Sequence, residues 1–340
     1  MLILQFCVCA AAQTFAAESS AETRKTMENA EKKISVVVSV YNEELSLDQF
    51  HKTIIDILER CIWDYELIFV NDGSADRSIE LLKQFAAGNS KIKVIDFSRN
   101  FGHEAAMIAG IDHATGDGIV CMDADLQHPP ESIPEIIAKF QEGYEVISMI
   151  RGKNADAGFI KSITSKAFYK VLNLLSPIKF ENNSSDFFAL AANVAEVLRR
   201  DYREKIRYLR GFVQSVGFRK TTLEFNAGKR TAGESKYSLR KLLHFSINAL
   251  CSFSDLPLKL GVYSGILVAM LGFILMIFTI ANKLINGAPA GYSTIIVALC
   301  FMFAVTLIVI GIIGEYIAVL FAEIKDRPIY IVREIYKSDQ

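Results

Sequence analysis

The chain has 340 residues, enough for one large domain or two ordinary ones. Its net charge of −1, with no basic arm, argues against nucleic-acid binding. Its six cysteines have neither zinc-ligand spacing nor the setting of a disulfide framework, so reduced and mostly buried thiols are expected. At 51% apolar the composition is rich for a soluble protein, and the excess lies toward the C-terminus.

Residues 1–26, MLILQFCVCAAAQTFAAESSAETRKT, combine a short apolar run with a small-residue stretch, as a signal peptide does, but lack its positive n-region. They are read as an N-terminal extension, either a start artefact or a signal-like segment. Met27 opens MENAEKKISVVV, an ordinary cytoplasmic start.

From Ile34 short apolar runs alternate with amphipathic stretches. Strands are predicted at 34–40, 66–70, 91–97, 117–123 and 144–150, and helices at 45–60, 78–88, 103–116 and 130–143. This is the pattern of βαβ units, so an α/β fold with a mostly parallel sheet covered on both faces is expected. Ligands of such sheets bind beyond the carboxyl ends of the strands. Polar clusters fall at those ends: YNEE after the first strand, NDGSADRS after the second, SRN after the third and DAD after the fourth. Between 151 and 238 the pattern is less regular, with helices predicted at 158–175 and 193–209, an alternating strand at 215–225, and a polar loop at 226–238.

Two uncharged apolar stretches follow, 261–282 and 293–314, each long enough to cross a bilayer. Arg240 and Lys241 precede this hairpin and Lys325, Arg327 and Arg333 follow it, whereas the connecting loop region has only Lys283. The positive-inside rule then puts the large domain and the C-terminus in the cytoplasm. Residues 238–260 join a basic start to apolar residues at helical spacing, as an interfacial helix does.

The chemistry is concentrated in IVCMDADLQHPP (119–130), where Asp123 and Asp125 close a buried strand. Two carboxylates one residue apart repel unless something positive joins them. Mg²⁺ or Mn²⁺ would bridge them to a nucleotide diphosphate through hard oxygen ligands, with Asp125 the more direct ligand and Asp123 holding either a ribose or the ion's water shell. Gln127 follows in the same loop. Asp72 can accept hydrogen bonds from a base edge, while Ser74 or Asp76 can cap the next helix. Glu43 can reach a ribose; Arg99 and Asn100 can meet a phosphate or the neighbouring loop. His103 and His128 lack metal spacing and are read as structural.

The motifs VSVYNEE, VNDGSADRS, SRNFGHEAAMIAGIDHATGD, MDADLQHPPE, IRYLRGFVQSVGF and RTAGESKYS, in that order before a membrane hairpin, resemble the polyprenyl-phosphate glycosyltransferases. These are inverting GT-A enzymes like dolichol-phosphate mannose synthase, and in particular the bacterial undecaprenyl-phosphate glucosyltransferases with two C-terminal spans. The resemblance spans about residues 34–325. It implies metal aspartates at Asp123 and Asp125 and a nucleotide-binding aspartate at Asp72. It also implies an acceptor-side aspartate at Asp186, in SSDFFAL, where the family's following arginine is replaced by Phe188.

A phosphate monoester acceptor is largely ionised near neutral pH, its second pKa being about 6, so it has little need of a strong base. Asp186 is therefore either a base or a group that positions a cation or the metal site. The acceptor phosphate does need cationic anchoring, for which Arg230, Ser235 and Lys236 in KRTAGESK are candidates, with Arg207 and Arg210 in IRYLRG. Expected partners are a nucleotide-sugar (UDP-glucose favoured), a polyprenyl phosphate and the membrane, with a homo-oligomer suggested by the resemblance. The expected division is an extension at 1–26, a GT-A domain at 27–237, an interfacial region at 238–260, a transmembrane hairpin at 261–321 and a cytoplasmic tail at 322–340. The alternatives are transfer to a hydroxyl in glycolipid or polysaccharide synthesis, and a non-catalytic nucleotide-sugar-binding scaffold.

Overall fold

A computed structural model describes residues 32–152, 184–205, 208–226, 256–286 and 292–338. The first part alternates β1 (Lys33–Val40), α1 (Leu47–Glu59), β2 (Asp64–Asn71), α2 (Ser78–Gly88), β3 (Ile92–Phe97), α3 (His103–His113) and β4 (Gly118–Asp123). After a 3-10 turn at Pro130–Ser132 come α4 (Ile133–Gln141), β5 (Val146–Arg151), β6 (Ser184–Ala191), α5 (Ala192–Asp201), α6 (Leu209–Ser215) and β7 (Lys220–Phe225). Two long helices, α7 (Leu256–Asn286) and α8 (Tyr292–Ile324), lead to a last strand, β8 (Val332–Lys337).

The strands form one eight-stranded sheet in the order β7-β5-β6-β4-β1-β2-β3-β8. The pairings β1 with β2, β1 with β4, β2 with β3, and β5 with β7 are parallel. Strand β6 runs antiparallel to both β4 and β5, and β8 runs antiparallel to β3. Alternate residues of a strand point to opposite faces, and the core divides accordingly. Val36, Val38, Leu67 and Phe69 pack under α1, α2 and α4. Val37, Ile68 and Val70 pack under α3, α5 and α6.

Helix α3 differs from the amphipathic helices around it. Its stretch AAMIAGI is buried throughout, as expected of a helix enclosed between a sheet and other helices. Gly110 lets it approach β1, since a Cβ there would lie 2.0 Å from Val37 Cγ1. The helix ends at His113, where Arg199 of α5 donates to the carbonyls of Ile111 and Ala114 at 2.6–2.9 Å.

Several sequence expectations change. The charged stretch 193–209 is not one helix: α5 stops at Asp201, and Arg203 and Lys205 leave the helix to meet Asp112 and Asp326. The strand expected from 215 begins at Lys220, because Ser215 closes α6 and Gly217 turns at φ 76°. Part of the expected tail, Val332–Lys337, rejoins the sheet as β8, with Tyr330 stacked on Phe97 at 5.2 Å and Arg333 donating to the Ser98 carbonyl. VREIYK is short, half charged and mostly exposed, which suits an edge strand, but nothing local names its partner. The helix expected at 158–175, residues 1–26 and the interfacial segment up to residue 255 lie outside the described residues.

Helices α7 and α8 pack together, with Gly261 against Val309. Both extend beyond the uncharged stretches read from sequence. Among the described residues, the window Phe301–Phe321 of α8 is long and apolar enough to cross a membrane, with a mean hydropathy of 2.4 and none of it buried. In α7 the shorter apolar run Gly261–Ile274 exposes Val262, Ile266, Leu267 and Phe273.

Gly110→Ala should lower stability by about 1–3 kcal/mol through overpacking against Val37. The thermal unfolding midpoint of the detergent-solubilised protein measures this, and an unchanged midpoint would show that the helix can move away at no cost.

Candidate active site

The carboxyl ends of β1 and β4 meet the amino end of β6 at one end of the sheet. In the parallel register Ser39 of β1 lies beside Asp123 of β4. In the antiparallel register Cys121 lies opposite Phe188, and two residues further along both strands this brings Asp123 and Asp186 to the same end. Residues 121–123 and 186–188 are distant in sequence, so only sheet pairing creates this concentration of negative charge.

Ser39 Oγ donates to Asp123 Oδ1 at 3.2 Å and lies 2.8 Å from His103 Nδ1. With its one proton on Asp123, Ser39 accepts from Nδ1–H, giving a chain His103–Ser39–Asp123. The other ring nitrogen of His103 lies 3.8 Å from Asp186 Oδ2. Burial alone would lower the pKa of His103, but Asp123, Asp186 and Glu104 outweigh it and raise it. His103, set aside from sequence because it lacks ligand spacing, thus stands between the two aspartates.

His128 has a different setting. Its Nδ1 accepts the backbone N–H of Asp123 at 3.0 Å, so its proton sits on Nε2, 2.9 Å from Ser185 Oγ. It is buried, stacked on Phe187, and desolvation holds its pKa down despite nearby carboxylates. A neutral His128 therefore fixes the DAD backbone rather than neutralising it.

Asp186 forms a two-point ion pair with Arg210, through Nε to Oδ1 and Nη2 to Oδ2. Burial would raise the Asp186 carboxyl, but Arg210, with help from His103, dominates and lowers its pKa to about 2. Such a group is a weak base, and the geometry matches the other role read from sequence, orientation of an arginine. Phe188, which replaces the family's arginine, is buried in the core on the same face as α6, so the cation on that face comes from Arg210 instead.

The loops after β1 and β2 are joined to one another. Asn42 and Ser74, Glu43 and Ser78, and Glu44 and Asp76 are linked by backbone N–H donors to side-chain acceptors at 3.0–3.2 Å. Bonds from Ala75 N to Asn42 and from Arg77 N to Glu44 run the other way. Asp76 also accepts Ser78 N at the start of α2, whose N-cap position is Arg77. The carboxylate of Glu43 accepts from Ser46 at the start of α1.

Asp72 is buried, and its carboxylate accepts Asn100 Nδ2, Phe101 N and Gly102 N at 2.7–3.2 Å. Through these donors Asp72 ties the second loop to SRNFG. Gly73 allows the close approach: at φ 64°, a Cβ would lie 2.5 Å from the Arg99 carbonyl carbon. Asn100 takes the inter-loop option, while Arg99 stacks over Phe101 at 4.1 Å.

In the DAD loop Asp125 Oδ1 accepts Gln127 N at 3.0 Å, and Gln127 Oε1 accepts Arg151 Nη2 at 3.2 Å. Arg151, at the end of β5, and Glu104, at the start of α3, were not found from sequence. A single Arg or Glu outside a polar cluster gives no signal until strand and helix ends meet. Arg207, Arg230, Ser235 and Lys236 lie outside the described residues.

Two family models match the chain: Glycosyl transferase family 2 over residues 35–199, and GtrB C-terminal hairpin over residues 256–320. The chain is 42% identical over 303 residues to the uncharacterized glycosyltransferase YkcC of Bacillus subtilis, covering 89% of this chain and 94% of that one. It is 36% identical over 306 residues to the prophage bactoprenol glucosyl transferase homolog of Escherichia coli, covering 90% of this chain and all of the other. The bactoprenol glucosyl transferase of Shigella phage SfV is 36% identical over 302 residues, 88% of this chain and 98% of its own. Among solved structures, glucosyl-3-phosphoglycerate synthase from Mycobacterium tuberculosis aligns at 16% identity with a TM-score of 0.43, over 64% of this chain and 79% of that one.

A carboxylate with a depressed pKa stabilises the fold above its unfolded value and loses that contribution as pH falls through the folded one. Below the range in which His103 titrates, the stability difference between wild type and Asp186→Asn should therefore stay level down to about pH 4, then shrink toward about 2, given a shift from 3.8 to about 2. Denaturant unfolding of the solubilised protein across this range tests it, and a difference that already declines there before the pH reaches the unfolded value would contradict the ion-pair assignment.

Proposed function

The chain belongs to glycosyl transferase family 2, with a GT-A fold and a C-terminal hairpin, and we propose that it transfers glucose from UDP-glucose to a polyprenyl monophosphate with inversion. The observation that carries this reading is the meeting, at one sheet edge, of the DAD loop with the Asp186–Arg210 pair, in a chain whose α8 exposes an apolar surface of membrane-spanning length. The names of the bactoprenol glucosyl transferases, similar over most of the chain, support glucose as the sugar and a polyprenyl phosphate as the acceptor.

The chemistry then follows from charge. An acceptor phosphate oxygen attacks the anomeric carbon, the bond from that carbon to the UDP oxygen breaks, and the configuration inverts. No proton has to leave the acceptor, because the second ionisation of a phosphate monoester lies at about 6. An Asp186 held at about 2 is consistent with this, and a hydroxyl acceptor, which needs a base, fits it less well. Arg210, held by Asp186, presents a guanidinium to the acceptor side, and the loop with Arg230, Ser235 and Lys236, together with Arg207, completes the anion site in this reading.

The donor set at the DAD loop fits a divalent ion. Asp123 and Asp125 offer hard carboxylate oxygens, and Mg²⁺ or Mn²⁺ commonly takes one or two such ligands with substrate phosphates filling the rest. When bound, such an ion offsets the charge on the departing diphosphate. His103 and Ser39 hold Asp123 in place, and Gln127 and the backbone near Asp125 shape the loop around the sugar. The apolar hairpin would keep the domain at the cytoplasmic membrane face, where the lipid phosphate arrives with its tail still in the bilayer.

Incubation of the purified protein with labelled UDP-glucose, undecaprenyl phosphate and Mg²⁺ or Mn²⁺ should give a lipid-linked glucose. Asp125→Asn should reduce the rate by about a hundredfold or more while membrane insertion is retained; near-normal transfer would remove its role. Lys236→Ala should raise the KM for lipid phosphate more than that for UDP-glucose, and an unchanged lipid response would remove Lys236 from the acceptor site.

A further inference from the structure

Arg210 is the second residue of α6, a helix with no side-chain cap of its own. Its approach is held from outside. The Leu209 N–H donates to Glu104 Oε2 of α3 at 2.7 Å. The Lys205 N–H donates to Glu323 Oε1, in the last turn of α8, at 2.6 Å, and the Lys205 ammonium meets Asp326 at 2.9 Å. Just before, Arg203 binds Asp112 of α3 at 2.9 and 3.1 Å, and Asp112 also accepts the Tyr330 hydroxyl at 2.7 Å. The end of α8 and the chain leading back to β8 are thus bonded to the same stretch that leads into Arg210.

The apolar residues of α6 do not replace these bonds. Leu209, Phe212 and Val213 are buried and fix how deeply the helix sits. Apolar contact is non-directional, so it sets the position of Arg210 less firmly than a directed bond from a backbone amide to a carboxylate.

We propose that Glu323 is a positioning residue: by holding the Lys205 amide it ties the end of α8 to the segment that places Arg210 at the acceptor side. This rests on the reading above that Arg210 faces the acceptor phosphate. Through Glu323 the hairpin does more than anchor the domain; it fixes the position of one cation relative to the bilayer that delivers the lipid.

The test uses the full chain in lipid nanodiscs, with Glu323→Ala, which removes the acceptor atom, and Glu323→Gln, which keeps a carbonyl oxygen in its place. Glu323→Ala should speed amide hydrogen exchange across residues 205–209 by about tenfold or more. It should raise the KM for undecaprenyl phosphate by a similar factor of about ten and leave the KM for UDP-glucose nearly unchanged. Glu323→Gln should recover most of both. Unchanged exchange in Glu323→Ala, faster exchange with an unaltered lipid KM, an equal rise in both KM values, or no recovery in Glu323→Gln would each overturn the proposal. A wild-type protein that makes no lipid-linked glucose would overturn the functional reading and with it the role given to Glu323, whereas the exchange measurement, which needs no activity, would still report whether the tether exists.

Discussion

Carboxylates brought together at the end of a sheet repel one another unless the protein supplies opposite charge or directed donors. Here β4 and β6 deliver Asp123 and Asp186 to one edge, and Asp125 follows in the next loop. The protein offsets them unequally. Asp186 receives a full guanidinium from Arg210, whereas Asp123 receives a serine hydroxyl and a nearby imidazole. Asp186 therefore carries its own cation, and in the proposed reading Asp123 and Asp125 keep carboxylate oxygens that an ion and a diphosphate can use.

Helix α3 makes this arrangement possible. It is buried along its length, so it can be fixed closely against β1, and polar groups at its ends reach in different directions. His103 and Glu104 at its start meet the aspartates and α6, Asp112 near its end takes Arg203 and Tyr330, and Arg199 satisfies its last carbonyls. Asp72 secures the loop that precedes it. Movement of α3 would therefore be felt in both halves of the site.

The hairpin and the sheet are also less separate than two modules in series. After α8 the chain returns to pair with β3, and Arg333 approaches Asp96 at 3.5 Å. Lys205 meets the same turn.

Sequence by itself determined the order of strands and helices through β5, because periodicity and the polar clusters at strand ends are local properties. It also marked the apolar hairpin and the polar DAD and NDGSADRS segments at strand ends. Tertiary structure decided what those residues face. Asp72 turned inward to three protein donors, Asp186 took Arg210, and His103, without any ligand spacing, came to lie between two aspartates. It also stopped α5 at Asp201 and made a strand of Val332–Lys337. These outcomes depend on pairing registers and on contacts such as Glu323 with Lys205, across more than a hundred residues of chain. Propensity acts over a few neighbours and carries no information about which distant backbone will arrive beside them.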